Sequence, residues 1–171
     1  MVRNNMTSDR KTAWISRLGF RQLVWLFPIA YVLHVFEELP RFSTWAMRYA
    51  SPSFTMRDYL TIHLTGIAVA VAAPLAVRYF SNRLVIFAFF TFVFTPAAFF
   101  NLFFHVGATV VFRAYCPGLI TALTVYPVVF FIVTRTAVRE RLLPASLAIV
   151  SFGIAGLFHL ADVSHNVFKA W

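Results

Sequence analysis

The sequence predicts an all-α integral membrane bundle of about five transmembrane helices. Three observations carry that prediction. Of the 171 residues, 60% are hydrophobic and only 12% charged, about half the charge a soluble domain uses to cover its surface. Several apolar runs are long enough to cross a hydrocarbon layer of ~30 Å. Lipid offers backbone N–H and C=O groups no water, so a span must satisfy them internally, as a helix does. The 21 Phe and 4 Trp suit a lipid-facing surface or an apolar substrate pocket.

The first helix is expected over 22–39. It follows a basic tail, residues 1–21, which carries Arg3, Arg10, Lys11, Arg17 and Arg21. No small-residue cleavage site follows it, so it reads as a retained span and not a signal peptide. A second helix is expected over 58–79 and a third over 84–112. The third is long for a span, and Pro96 inside it predicts a kink, or a tilt with its end outside the bilayer. A fourth covers 118–137 and a fifth 145–168. Without repeats or low-complexity segments, residues 22–171 read as a single domain.

Basic residues set the direction. The tail, the connection with Arg78 and Arg83, and the connection with Arg135, Arg139 and Arg141 hold ten of the 15 lysines and arginines. Arg41, Arg48, Arg57, Arg113 and Lys169 make five on the other side. That bias places the N-terminus in the cytoplasm and the C-terminus outside, in a bacterial cytoplasmic (inner) membrane. The net charge of +9 is scattered between apolar runs, so it points to membrane topology and not to nucleic acid. Cys116 is the only cysteine, which excludes an internal disulfide and a cysteine-based zinc knuckle.

All five histidines (His34, His63, His105, His159 and His165) fall in predicted spans. Glu37, Glu38, Asp58 and Asp162 fall within spans or at their mouths. An ionisable group at mid-membrane costs about 2.5–3.5 kcal/mol, so such residues mark functional sites by default. At ~1.5 Å per residue, His34, Glu37, Glu38, His63, His105, His159, Asp162 and His165 all reach the same outer half. Glu37 and Glu38 flank the direction of His34 at ~100° per residue. In "HLADVSH" the polar residues line one broad stripe. Asn101, one turn before His105, can orient it.

Imidazoles and carboxylates projected from facing helices are how bundle proteins build metal sites. Nitrogen-rich donors fit one or two divalent transition metal ions, zinc or iron first, better than calcium or magnesium. A dication also explains paired carboxylates at a helix C-terminus, where the macrodipole opposes them. Plainer roles exist. A single intramembrane histidine can be a hydrogen-bonded packing residue, Glu37 and Glu38 can pair with Arg41 or Arg57, and Asp58 can cap a helix. Arg57, Arg113 and Tyr115 stand beside the outer end as candidate substrate or supporting residues.

"HVFEE", His34 to Glu38, resembles the motif that names the HXXEE-domain family of membrane proteins. That family also carries a further histidine, for which His105 or His63 qualifies, and a YxPG motif, here "YCPG" from Tyr115 to Gly118. The resemblance covers the first four helices and implies a membrane location without a reaction. Pro117 and Gly118 also suit the centre of a type II turn.

Chemically, a lipid or other apolar substrate entering sideways would meet the ligands at headgroup depth. A metal-activated water would attack an ester, amide or phosphoester, with Glu37 or Glu38 as general base. The same ligands can serve a di-iron hydroxylase or desaturase. Metal-free His/Glu proton transfer, ion or metal transport, and a structural role are the alternatives. Beyond the lipid bilayer and such a substrate, the sequence names no partner and no oligomeric state.

Overall fold

The computed structural model describes residues 18–80 and 82–167, with 162–167 described by backbone alone. Residues 1–17 of the basic tail and Lys169 lie outside the described residues, as do the side chains of Asp162 and His165. The described residues are helical and contain no strand. The helices are α1 (Phe20–Glu38), α2 (Phe42–Tyr49), α3 (Met56–Phe80), α4 (Arg83–Phe112), α5 (Leu119–Arg139) and α6 (Ala145–Val167). Among them α3, α4 and α5 are long and apolar enough to cross a membrane. The count rises to four if α1 and α2, which meet at a 68° bend, form one broken span. The described part of α6 contributes a shorter apolar stretch, Ala145–Ala161.

Several helix ends have a local cause. Thr55 and Asp58 form a reciprocal cap: the Thr55 N–H and hydroxyl donate to Asp58 Oδ2, and the Asp58 N–H donates to Thr55 Oγ1. That exchange satisfies donors the first turn of α3 leaves open. The Asn82 side chain accepts from the Val85 N–H at 2.8 Å and starts α4. Arg113, in the left-handed region at φ 49°, ends it. At the end of α5 the Leu142 N–H reaches Ala137 O and the Arg141 N–H reaches Val138 O, both at 3.0 Å. With Arg141 at φ 58°, this is a Schellman-type stop.

Two features differ from the expected pattern. The connection 40–55 contains α2, an eight-residue helix that the spacing of apolar residues did not announce. Pro96 does not break α4. Instead, Phe90–Phe94 and Pro96–Phe100 form π-helical turns, because wider turns absorb the hydrogen bond that a proline cannot donate.

α1 and α5 pack along each other extensively. They are clamped at both ends. Glu140, just after α5, accepts from the Phe20 N–H at 2.9 Å, while Glu37, near the end of α1, caps α5. The main core lies between them and α4, where Phe27, Phe89, Phe90 and Phe94 interlock edge-on and stacked. A smaller cluster of Trp45, Ala46, Ala108 and Cys116 closes the other end. The polar residues sit between the two.

Candidate metal centre

The centre forms where α1 ends and α5 begins. His34 and Glu38 are one helical turn apart on α1, so they share a face, and each is only 2% exposed. His63 comes from α3, and Asn101 and His105 come from α4. Glu38 Oε1 lies 3.4 Å from His34 Nε2 and 3.5 Å from His105 Nε2. Its other oxygen lies 3.2 Å from His63 Nε2. One ligand atom each from His34, Glu38 and His105 falls within 4.8 Å of the others.

Hydrogen bonding assigns the ring protons. The Thr121 hydroxyl donates to Glu37 Oε2 at 2.5 Å, so its oxygen is left to accept the His34 Nδ1–H at 2.7 Å. The Cys116 thiol donates to Pro117 O, so Sγ accepts the His105 Nδ1–H at 3.3 Å. Burial pushes the Cys116 thiol up, which keeps that hydrogen in place. Both imidazoles therefore present a bare Nε2 to Glu38. Asn101 Nδ2 stands 3.1 Å from one Nε2 and 3.3 Å from the other. Turned over, the same amide would offer an oxygen in that place.

A carboxylate this deeply buried needs a cationic or hydrogen-bonding partner. Among the described residues Glu38 Oε2 has no hydrogen-bond donor, and His63 Nδ1 has no partner. Among the described residues no lysine or arginine lines the adjoining cavity of about 720 Å³. Two imidazole nitrogens and a carboxylate oxygen around one point match the donor set of His₂Glu zinc sites and of facial-triad iron sites. A transition metal fits these residues.

Glu37 has a different place from the expected ligand or base. It accepts from the backbone N–H groups of Ile120 (2.9 Å) and Thr121 (2.7 Å), from the Thr121 hydroxyl, and from the Tyr115 hydroxyl in a short bond. Both its oxygens are occupied at the N-terminus of α5, a favourable seat for an anion. Partial burial and the bond to Glu37 push Tyr115 up to about 12. His159 lines the same cavity and stacks on Phe100, with ring centroids 5.9 Å apart, but stands outside the three-residue group. Arg57 and Arg113 are exposed and line none of it.

The YCPG turn closes the centre. Gly118 has φ +97°, and a Cβ there would lie 2.6 Å from His105 Cε1 and 2.7 Å from His34 Cε1. Only glycine fits both the backbone and the space. Thr121 and Cys116, which touch the two rings, and Tyr31, which lines the cavity, are neighbours of the site that the sequence pattern does not mark. For Thr121 a signal existed: it lies about one helical turn after Gly118 of the YCPG motif.

A family model described as "Protein of unknown function with HXXEE motif" matches residues 25–133. That interval contains every residue of the centre and the whole YCPG turn, and it ends before α6 and "HLADVSH". Comparisons with curated proteins and with solved structures give no match.

Proposed function

The chain belongs to the HXXEE-motif family, and from that starting point we propose that it is a multi-pass membrane metalloenzyme hydrolysing a lipid or other apolar substrate. Its N-terminus faces the cytoplasm and its site lies near the outer surface. The reading is supported above all by two bare imidazole nitrogens and a buried carboxylate meeting at one edge of an apolar cavity. His34, Glu38 and His105 hold one divalent ion, zinc before iron, and His63 stands behind the far oxygen of Glu38. Such an ion supplies Lewis acidity and an activated water. The chain does the rest. Thr121 and Cys116 fix the two ring tautomers, Asn101 spans the gap between the rings, and aromatic walls exclude bulk water. Hydrolysis is favoured over oxidation because it needs only water, whereas an outer site is remote from cytosolic reductants.

A second reading rests on Asn101, whose amide already reaches both bare nitrogens, and on the His63–Glu38 pair beside the cavity. Together they suit metal-free proton transfer, as in an isomerase. Elemental analysis of protein purified without added metal separates the two. We expect about one zinc per chain, lost in His34→Ala and His105→Ala and kept in His159→Ala. Metal retained in both ligand variants overturns the assignment. Stoichiometric iron moves the reading to oxidation, and metal-free active protein moves it to proton transfer.

A further inference from the structure

We infer that the substrate is a single-chain fatty ester or amide with an uncharged headgroup, which enters sideways between α3 and α4. The reaction half of this inference rests on the hydrolytic reading above; the binding half stands on the cavity alone. Ile62 and Val69 of α3 and Phe92 of α4 line the cavity while being 54%, 43% and 57% exposed. Their exposure makes them its rim, so the cavity opens on the apolar flank of the bundle. Its roof is α2 and the segment after it, through Phe42, Trp45 and Phe54. The inner wall, with Phe27, Ala70 and Ala97, carries no charge. His34, Glu38, His63 and Asn101 gather along one part of the lining.

Size and charge select the occupant. A volume of about 720 Å³ falls within the ~300–1,000 Å³ of sites that enclose one small molecule, which suits one acyl chain and a small polar end. A phosphate headgroup is usually gripped by arginine or lysine, and the lining contains neither among the described residues. Arg41, Arg48, Arg57 and Arg113 all lie outside it. A free fatty acid would bring a second carboxylate to a described lining that already holds Glu38 and has no lysine or arginine. A neutral carbonyl compound meets no such opposition, and its oxygen can accept from an Asn101 N–H. In the reaction the bond between carbonyl carbon and ester oxygen or amide nitrogen breaks. The acyl carbon takes the hydroxyl of water, and the leaving alcohol or amine takes the proton.

Trp45 in the roof makes the test direct. Full-length protein, reconstituted in phosphatidylcholine vesicles, is titrated with a brominated monoacylglycerol, a brominated N-acylethanolamine, a brominated fatty acid or a brominated two-chain phosphatidylcholine. Tryptophan quenching and metal content are read on the same samples. We expect saturable quenching by the ester or the amide, at least tenfold weaker with the other two lipids. It should vanish in Trp45→Phe and weaken in Ala70→Phe, and also in Ile62→Phe, whose exposed rim position leaves folding intact. His105→Ala, at a position that lines none of the cavity, should keep the quenching while losing metal. Stronger quenching by the phospholipid or the fatty acid overturns the inference. So does quenching that persists unchanged in Trp45→Phe or in both cavity variants. Metal present without saturable quenching sinks this inference alone; quenching without metal sinks the metal reading alone.

Discussion

Glu37 and Glu38 are adjacent, yet they serve different partners because a helix turns ~100° per residue. Glu38 falls under His34 at i+4 and joins the buried rings. Glu37 turns to the start of α5, where N–H groups, a hydroxyl and Tyr115 hold it. Between the two carboxylates runs a chain: Glu37 to the Thr121 hydroxyl to His34 Nδ1. Partners of this kind fix the tautomer of a metal-binding histidine, and losing one costs about 10–100-fold in metal affinity. Thr121→Val should therefore weaken metal binding by that factor and Thr121→Ser should restore it, as read by competition with a chelator. Equal affinity in wild type and Thr121→Val would show that the hydroxyl only fills space.

At the scale of elements, the α4–α5 turn matters because it carries α5 onto the rings. Gly118 begins α5 from a left-handed conformation and lies directly behind His34 and His105. An alanine there pays about 1–2 kcal/mol for its backbone alone, and its Cβ must displace two imidazoles. We expect Gly118→Ala to lower the thermal unfolding midpoint in detergent and to abolish metal binding, with helix content unchanged by circular dichroism. A variant that binds metal like wild type would remove the turn from the site. A second close approach holds α1 against α3: a Cβ on Gly66 would lie 2.0 Å from the Tyr31 hydroxyl. Here the absence of a side chain sets the spacing of helices that carry Glu38 and His63.

For the molecule as a whole, three or four apolar helices and a largely apolar exterior leave direction to the basic residues. Ten of them sit at one end of the expected topology, which predicts a C-terminus on the outer side. A reporter fused after Trp171 should be active only in the extracytoplasmic compartment. Cytoplasmic activity would place the candidate metal centre near the inner surface instead, and would reopen reductant-dependent chemistry.

Much of this was readable from one dimension. Helix positions follow from apolar run length, since lipid-like surroundings leave the backbone no other solution. His34, Glu38, His63 and His105 stood out because ionisable groups are costly in such runs. Other features had no linear signature. The short helix α2 is held by contacts of Phe42 and Trp45 with distant aromatic rings. The π turns around Pro96 are a compromise between a missing donor and continued packing. The separate fates of Glu37 and Glu38, and the pairing of Cys116 with His105, depend on where α5 begins in space. Sequence alone determined the helices and the kind of atoms they bring, because hydrophobicity and ionisability belong to residues. Which atoms meet was decided by tertiary structure, because a ligand set is a matter of a few ångströms between chains of residues far apart in order.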